Sequence, residues 1–496
     1  DPYIDSQWAL NNPGHYYYYT DNSKQGIASK ENVDMDLVKA WEHIKTDKGG
    51  KREVVVAIID TGVDYTHPDL AENIWVNPGE VSEDGLDNDN NGYVDDIHGW
   101  DFYNDDNSVG HYLYDDEGAQ LADKDDNDNH GTHIAGIIGA VANNNIGIAG
   151  LASNIDIKIM PLKINGGQDG TGYISNAIEA IKYATMMGAD ICNISWGSHK
   201  YNQALEIAME ESDMLFVVAA GNEGTDNDIN PMYPANYDLD NLISVTFVDP
   251  YGELTKYSNY GSTTVDVAAP GYNIYSTVVG GYAYMSGSSM AAPHVTALAA
   301  LLYSYDEKLY PANIKEVILE NLKPIKGLEG YVVNAGIPSA LLALENSSSL
   351  KKDYIAPELE VKTVYAGTEF KISLNSYDKG GSDVRTILYM EGSKELVDFK
   401  RGTEGIKVEE EQITLTKAGY YTFYVSDYAG NETIVVYKVK GNNKLINIET
   451  DFKVTDYKDK KVKVYISKER VYIPRSITWN NDTEAWLETR FQLKPI

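Results

Sequence analysis

The sequence predicts an α/β domain followed by β-rich regions, and three observations lead to this fold class. Apolar runs alternate with amphipathic helical stretches through residues 51–346. A polar, serine-rich segment at 345–353 interrupts that pattern, and beyond it short stretches alternate apolar with polar residues. Strands that alternate with helices form a parallel sheet covered on both faces, whereas short alternating strands between Gly, Asn and Asp turns are typical of a β-sandwich.

The elements follow in chain order. Residues 1–50 read as an irregular arm with a short helix pattern near VDMDLVKAWEHIK, and we expect the four tyrosines at 16–19 to pack flat on the domain that follows. Within 51–346, strands are expected at VVVAII, IDIKIMPLKI, ADICNIS, MLFVVAAGN and LISVTFVD, with helices at 175–189, near 201–212 and after 288. Residues 354–441 are predicted to form an immunoglobulin-like β-sandwich, and 442–496 a further β-rich segment.

Composition limits the function classes. The formal net charge of −34 excludes a nucleic-acid-binding role based on electrostatics. No apolar run approaches the roughly 18 residues of a membrane span, so no membrane span is expected. The single cysteine, Cys192, excludes an intrachain disulfide framework and reads as a buried small hydrophobe. The chain begins Asp-Pro-Tyr, and we expect targeting and pro-segments to have been removed.

Four short motifs carry the chemistry. GSSMAAPH (287–294) breaks the chain and enters a small-residue helix, which places Ser289 at a helix N-terminus where free N–H groups favour negative charge. VVVAIIDTGVD (54–64) puts Asp60 at the carboxyl end of a buried strand, where α/β sheets build their sites. HGTHIAGIIG (130–139) opens a helix with His130, and AAGNEG (219–224) contains Asn222. The order Asp, His, Ser is one in which a catalytic triad occurs.

These four motifs in this order resemble the subtilisin-like serine proteases, the subtilases, over roughly residues 1–346. The resemblance implies a subtilisin-like parallel sheet flanked by helices and a secreted or cell-surface, bacterial-type serine endopeptidase that forms an acyl-enzyme intermediate. Ser289 would be the nucleophile, His130 the general base, and Asp60 the group that orients His130. Asn222 and the Ser289 backbone N–H would donate to the oxyanion. The other histidines of these motifs, at 67, 133 and 294, would be structural.

The resemblance also implies a substrate groove. A polypeptide would lie as an extended strand between QDGTGYI (168–174) and SWGS (195–198). The pocket for the residue before the cut would have Glu223 at its rim and Met232 at its base, which favours medium apolar side chains such as Leu or Met. Trp196 and Ile174 would partly fill the pocket for the fourth residue upstream. The full set of implied substrate-binding residues is Gly170, Gly172, Ile174, Ser195, Trp196, Gly197, Ala219, Gly221, Glu223 and Met232.

Three oxygen-rich clusters are interpreted as Ca²⁺ sites. Residues 60–130 hold 21 acidic residues and one basic residue, Lys124, a net charge of −20. By resemblance to the family, the first site contains Asp1, Asp69 and Asn144 with the carbonyls of Val141, Ile146 and Ile148. A second, thermitase-like site contains Asp101, Asn104 and Asp106. The third begins like an EF-hand loop with Asp87, Asp89 and Asn91, although His98 stands where that loop has its final glutamate.

The expected partners are polypeptide substrates and, since the family matures from a zymogen, an N-terminal propeptide; a monomer is expected. Two alternatives stay open at this point. The chain could be a pseudoprotease that binds peptides without cutting them, which the intact set of Asp60, His130, Ser289 and Asn222 disfavours. It could also be a matrix adhesin that uses the β-rich region for binding, with the protease domain serving only its maturation.

Overall fold

The computed structural model divides the chain into two compact units, one spanning Asp1–Tyr354 and the other Ile355–Asp427 with Asn431–Ile496. No helix among the described residues is both long and apolar enough to cross a bilayer. The structure describes residues 1–20, 23–47, 52–82, 84–110, 128–166, 171–305, 309–347, 355–366, 370–380, 384–402, 405–408, 412–427, 431–440, 470–480 and 485–495.

The N-terminal arm is more regular than predicted. It contains an antiparallel hairpin of β1 (His15–Thr20) and β2 (Ser23–Ala28), followed by helix α1 (Leu37–Asp47). The expectation of an irregular arm is therefore wrong for residues 15–28. The tyrosines do pack on the domain: Tyr16 is buried, and the ring of Tyr18 stacks on that of Tyr284 at a centroid distance of 4.1 Å. Hydrogen bonding between two short strands and burial of tyrosine rings together hold the hairpin.

A seven-stranded parallel sheet organises the first unit. Its strands are β3 (Val54–Asp60), β4 (Trp100–Asp101), β5 (Ile157–Lys163), β8 (Ile191–Ile194), β9 (Leu215–Ala219), β10 (Leu242–Val248) and β11 (Val267–Pro270). They are arranged in the order β11-β10-β9-β8-β3-β5-β4. The central strand β3 is buried along its whole length, as a run of six apolar residues predicts for a strand covered on both faces. Its last residue, Asp60, lies opposite Lys163 of β5.

Two hydrophobic cores cover the faces of this sheet. Alternate residues of β3 point to opposite faces, so that Val54, Val56 and Ile58 join one core and Val55, Ala57 and Ile59 join the other. The first core is completed by α1, α2 (Asn129–Gly139), α5 (Ser288–Tyr305), α6 (Pro311–Glu320) and α7 (Ala340–Ser347). The second is completed by α3 (Ile174–Met186) and α4 (Gln203–Glu210). Helices α2 and α5 pack against each other on one face, which brings their N-terminal turns to the same edge of the sheet.

Three small hairpins complete the first unit. They are formed by β6 (Asn165–Gly166) with β7 (Thr171–Gly172), β12 (Ile274–Val278) with β13 (Gly281–Met285), and β14 (Leu322–Pro324) with β15 (Gly336–Pro338). The β12–β13 hairpin contacts α2: Ser276 Oγ and Thr277 Oγ1 donate to the carbonyls of His133 and Thr132, each at 2.7 Å. This hairpin therefore supports the helix that carries His130.

The second unit contains a β-sandwich. One sheet has the order β16 (Glu358–Ala366), β17 (Phe370–Tyr377), β20 (Gln412–Leu415); the other has β19 (Ile406–Lys407), β18 (Val384–Glu391), β21 (Gly419–Asp427), β22 (Glu432–Val439). Tyr421 Oη donates to the carbonyl of Lys417 at 3.1 Å, the local contact of an immunoglobulin-type tyrosine corner. Strands β23 (Arg470–Asn480) and β24 (Ala485–Pro495) form a separate antiparallel pair.

Candidate active site

Asp60 and His130 form a hydrogen-bonded acid–base pair. Asp60 ends the central strand and is 1% exposed, while His130 is the second residue of α2. His130 Nδ1 lies 2.7 Å from Asp60 Oδ1. Because a carboxylate only accepts, Nδ1 carries the proton, and Nε2 of the neutral ring is left as the base. Desolvation lowers the pKa of His130, but the charge of Asp60 and this hydrogen bond outweigh it and raise the pKa above its ordinary value.

Ser289 lies in the first turn of α5, whose N-terminal turn is at the same edge of the sheet as that of α2. The side chain is nearly buried, and its Oγ donates to the carbonyl of Ser195 at 3.1 Å. Among the described residues, no hydrogen bond joins Ser289 Oγ to His130. Catalytic hydrogen bonds of this kind often form fully only when substrate is bound. The structure therefore shows a hydrogen-bonded Asp60–His130 pair and places the hydroxyl of Ser289, the predicted nucleophile, towards Ser195.

Asn222 is held with its amide nitrogen free. Its Oδ1 accepts from the backbone N–H of Ser288 at 2.8 Å and from Ser288 Oγ at 3.0 Å. Within the described chain, Nδ2 of Asn222 has no acceptor. Ser288 Oγ in turn accepts from the N–H of Gly221 at 3.1 Å, so that one hydroxyl connects the start of α5 to the loop that carries Asn222. This arrangement leaves Nδ2 available as a hydrogen-bond donor beside the first turn of α5, and Ser288 is a positioning residue that the sequence reasoning missed.

Met232 lies between two segments that carry predicted substrate-binding residues, 195–197 and 219–221. We call the predicted pocket between them the recess, these two segments its walls, and Met232 its base. A Cβ added at Gly197 would lie 3.0 Å from Cγ and Sδ of Met232, so glycine at 197 makes room for that side chain, which is itself 7% exposed. A Cβ added at Gly221 would lie 2.4 Å from Asn259 Nδ2 and 3.4 Å from Met232 Cε, and the φ of +110° also favours glycine at 221. The first wall lies beside Ser289, whose Oγ donates to the carbonyl of Ser195.

The other predicted substrate residues surround this recess or fall outside the described chain. Trp196 Nε1 donates to the carbonyl of Ile59 at 2.9 Å, and Trp196 and Ile174 both pack against the second core. Gly172 lies in β7, where an added Cβ would be 2.3 Å from the carbonyl of Ile164. Gly170 lies outside the described residues.

The histidines expected to be structural are held inside the protein. His133 Nε2 lies 3.1 Å from the carbonyl of Ile274, and burial lowers the pKa of His133 to about 3. His294 Nδ1 donates to the carbonyl of Met290, and burial lowers its pKa to about 4. Both are therefore neutral near pH 7 and lack the carboxylate partner that His130 has.

A buried ion pair joins the two segments that carry the acid and the base. Lys163 Nζ donates to Asp128 Oδ1 at 2.5 Å and to the carbonyl of Thr61 at 2.8 Å, and both charged side chains are only 1–2% exposed. Asp128 precedes His130 by two residues, and Thr61 follows Asp60 directly. The ammonium therefore fixes the end of β3 relative to the start of α2. Sequence reasoning missed this pair because its members are 35 positions apart and lie in unrelated motifs.

Comparison with known proteins identifies the family. The sequence profile described as "Subtilase family" matches residues 51–344, more than half of the chain. The protein is a member of the subtilase family. A "Thermophilic serine proteinase" from Bacillus sp. (strain AK1) is 39% identical over 297 residues, which are 59% of this chain and 61% of that protein. A "Subtilisin-like protease 2" from Plasmodium falciparum (isolate 3D7) is 32% identical over 276 residues, 53% of this chain and 18% of that protein.

A solved structure supports the fold of this subtilase. A protease from Pseudoalteromonas arctica PAMC 21717 aligns with a TM-score of 0.51 and 26% identity, covering 70% of this chain and 98% of that one. The subtilase chain spans only 18–61% of the length of the two curated relatives that it matches.

Several residues of the first predicted metal cluster are joined by hydrogen bonds. Asp69 is fully buried, and its carboxylate accepts from Asn144 Nδ2 at 2.7 Å and from the N–H of Ile148 at 3.0 Å. Asp1 Oδ2 accepts from the N–H of Asn143 at 2.9 Å, while Asp1 Oδ1 is buried with no hydrogen-bond partner among the described residues. An orphaned buried carboxylate oxygen is costly without a counter-charge. The residues present therefore fit a hard cation such as Ca²⁺.

The EF-hand-like cluster includes an acid that the sequence reasoning missed. Glu80, Asp87 and Asp89 each offer a carboxylate oxygen, and these three oxygens lie within 4.8 Å of one another. Glu80 Oε2 is buried without a hydrogen-bond partner in the described chain. Asn91 lies against the same cluster, since its backbone N–H donates to Asp87 Oδ1 at 3.0 Å and to Asp89 Oδ1 at 3.1 Å. Glu80 precedes the motif by seven residues in an unremarkable acidic stretch, so sequence spacing gave no signal for it.

In the second predicted metal cluster, the carboxylate of Asp101 is hydrogen-bonded to the side chain of Asn104 and to the loop backbone. Asp101 Oδ1 accepts from the N–H groups of Tyr103 and Asn104, and its Oδ2 accepts from Asn104 Nδ2 at 2.9 Å. The backbone N–H of Asp101 donates to the carbonyl of Asp106 at 2.8 Å, so that the three predicted ligands lie close together. Burial raises the pKa of Asp101 to about 6.

Proposed function

We propose that this subtilase is a serine endopeptidase that acts through an Asp60–His130–Ser289 triad and an acyl-enzyme intermediate. The observation that carries the proposal is the 2.7 Å bond between His130 and buried Asp60, with Ser289 on the N-terminal turn of α5 and the free amide nitrogen of Asn222 beside that turn. His133 and His294, the other histidines of the motif helices, face backbone carbonyls instead of a carboxylate.

The residues act in a fixed sequence. His130 Nε2 takes the proton of Ser289 Oγ as that oxygen bonds to the substrate's carbonyl carbon, while Asp60 stabilises the imidazolium. Asn222 Nδ2 and the Ser289 backbone N–H donate to the resulting oxyanion. His130 then returns the proton to the amine nitrogen as the C–N bond breaks, which leaves an ester on Ser289. Water then attacks the ester carbon by the same steps, and the carboxylic acid product leaves Ser289.

The substrates proposed are polypeptides bound as an extended strand. The recess closed by Met232 is short, which supports a medium apolar side chain such as Leu or Met before the cut. Gly172 and Trp196 flank the groove, and Ile174 with Trp196 would partly fill the pocket for the fourth residue upstream. We include Gly170 in this groove as an expectation.

We further propose Ca²⁺ at the three oxygen-rich clusters. Asp1, Asp69, Asn144 and the carbonyls of Val141, Ile146 and Ile148 would hold the first ion; Asp101, Asn104 and Asp106 the second; and Asp87, Asp89 and Asn91, with Glu80 added, the third. Bound Ca²⁺ would neutralise the charge of a region that carries a net −20. Sites of this kind fill readily at the millimolar calcium of extracellular space, which supports secretion. Synthesis as a zymogen with an N-terminal propeptide, and a monomeric mature enzyme, complete the proposal.

The decisive experiment uses Ser289→Ala and a fluorophosphonate probe. The parent protein should hydrolyse casein and become labelled at Ser289, whereas the variant should do neither and keep its circular dichroism spectrum. Ser262→Ala, at an exposed serine, is the matched control and should behave like the parent. Labelling at another serine, or hydrolysis by Ser289→Ala, would refute the triad.

A further inference from the structure

The open end of the recess beside Ser289 is bridged by two charged side chains. His199 follows the first wall, residues 195–198, and Glu223 follows Asn222 on the second. His199 Nε2 lies 2.9 Å from Glu223 Oε2, and His199 Nδ1 lies 2.9 Å from the carbonyl of Pro231, the residue before Met232. One imidazole ring therefore joins both walls and the base. Since His199 and Glu223 are each 49% exposed, the bridge faces the solvent at the entrance.

The geometry of the bridge is that of a doubly protonated ring. Both ring nitrogens of His199 face oxygen acceptors, a carboxylate and a carbonyl, and neither acceptor can donate. A neutral imidazole has only one N–H, so it can satisfy only one of these two contacts. The carbonyl of Pro231 and the carboxylate of Glu223 also hold the pKa of His199 above its ordinary value. A protonated ring therefore satisfies both contacts, whereas a neutral ring satisfies only one of them and carries no charge to offset that of Glu223.

Other charged groups lie on the segments that adjoin His199 and Glu223. Lys200 follows His199 in the chain, and Lys256 lies next to Gly224, with its Nζ over the ring of Tyr257. The loop after Glu223 carries Asp226 and Asp228. The carboxylate of Asp226 accepts from the N–H of Asp228, and that of Asp228 accepts from residues 262–264. Among the described residues, Glu223 is the charged group paired with His199. The charge that Glu223 presents to the recess therefore depends mainly on His199.

We propose that His199 is a specificity-determining residue that controls, through its protonation state, how strongly Glu223 attracts a cationic side chain at the position before the cut. With His199 protonated, the bridge is closed and Glu223 is neutralised, so the recess favours apolar side chains. With His199 neutral, no positive charge on the ring offsets the carboxylate of Glu223, which then attracts lysine or arginine. This inference rests on the proposed endopeptidase function, and it makes lysine an additional substrate class at alkaline pH.

The placement of the pair next to the reaction follows from the chemistry. In the proposed reaction, Ser289 Oγ bonds to the carbonyl carbon of the substrate residue before the cut, and the carbonyl oxygen lies at Asn222. The side chain of this substrate residue therefore enters the recess. Glu223 is adjacent in sequence to Asn222, and its backbone N–H is fixed by Asn259 Oδ1 at 2.7 Å. A long cationic side chain that follows the wall therefore reaches the entrance where Glu223 stands.

The test compares two peptide p-nitroanilides that differ only in the last residue, lysine or norleucine. Their kcat/KM values are measured from pH 5.5 to 9.0, and the Lys/norleucine ratio is plotted. Titration of His130 affects both substrates equally and cancels in the ratio, while lysine stays protonated over this range. An exposed ion pair changes affinity only modestly, so we expect the ratio to rise about two- to fivefold, with a midpoint above the ordinary pKa of histidine.

Variants of His199 and Glu223 test whether these two residues cause the pH dependence of the Lys/norleucine ratio. His199→Gln should give a ratio that is high and independent of pH, and Glu223→Gln a ratio that is low and independent of pH. His15→Gln, at an exposed histidine of the β1–β2 hairpin, is the matched control and should reproduce the parent curve. A flat ratio in the parent, or a pH-dependent ratio that persists in His199→Gln, would overturn the proposal.

Failure of this inference is distinguishable from failure of the proposed function. If both peptides are cleaved with a constant ratio and the fluorophosphonate still labels Ser289, the role of His199 is wrong and the triad stands. If neither peptide is cleaved and Ser289 is unlabelled, the endopeptidase function itself fails, and the inference fails with it.

Discussion

Removing Lys163 should destabilise the catalytic unit strongly. Lys163→Met keeps the length of the side chain but leaves Asp128, 2% exposed, as a buried charge without this partner, which costs about 3–5 kcal/mol. It also takes a donor from the carbonyl of Thr61, which adds about 1–3 kcal/mol. At about 2 °C per kcal/mol, the lower end of the range for domains of 150–250 residues, the melting temperature should fall by roughly 8–16 °C.

The assay is differential scanning calorimetry in a Ser289→Ala background, which prevents self-digestion. Lys158→Met, the same substitution on the same strand, is the control. Lys158 contacts Asp156 at 3.6 Å, and Asp156 is largely exposed, so the change should stay within about 0.5 kcal/mol. Adding Asp128→Asn to Lys163→Met should recover about half of the loss or more, since the neutral amide does not need the ammonium as a counter-charge. If Lys163→Met melts like Lys158→Met, or if the second substitution worsens the loss, the ion pair does not anchor the site as argued.

Three further predictions follow. Chelation by EDTA should lower the melting temperature, because an ion that binds only the folded state stabilises it by about 4 kcal/mol at a thousandfold excess over Kd. Asp69→Asn should reproduce part of this fall. Coincident melting curves with and without EDTA would exclude bound calcium. The kcat/KM for the norleucine peptide should fall as the pH drops through the raised pKa of His130, since only the neutral ring accepts a proton. Asp60→Asn should move the midpoint of this fall to lower pH and reduce kcat by ~10⁴. A chain ending after Ser347 should still cleave short peptides, because every proposed catalytic group precedes that point; loss of folding would show that the second unit is required.

Much of the fold could be predicted because local sequence and tertiary structure agree in the first unit. The run 54–59 is apolar without interruption and forms the central strand, and the small residues after Ser289 form the fully buried helix α5. The β1–β2 hairpin was missed for a physical reason. Tyrosine is both apolar and polar, so the run HYYYYT shows no alternation, although the strand buries Tyr16 and leaves Thr20 exposed.

The proposed catalytic residues could be predicted from motifs, but their supporting contacts could not. Asp60, His130 and Asn222 each sit in a short stretch whose residue types suggest chemistry. Ser288, by contrast, supports Asn222 through an N–H and a hydroxyl 66 positions away, and such contacts exist only after folding. The same holds for Glu80, whose Oε1 accepts from the backbone N–H groups of Asn88 and Asp89. Sequence reasoning identifies the candidate reacting groups, and the structure is needed for the groups that hold them.

The proposed catalytic residue Asp60 is buried, whereas the proposed specificity residues His199 and Glu223 are half exposed. This difference in burial allows specificity to change independently of catalysis. Asp60 is buried at the end of a central strand, so its effect on His130 is little screened by salt. His199 and Glu223 are half exposed on loops, where a Debye length of about 8 Å at physiological ionic strength weakens any charge that does not touch them directly. A substitution at 199 or 223 therefore leaves the cores intact and alters only the charge at the entrance. A substitution at 60, 128 or 163 instead disturbs buried groups, where water does not replace a lost hydrogen-bond partner. On the proposed mechanism, preference for the residue before the cut can accordingly vary in this subtilase without loss of the Asp60–His130 pair.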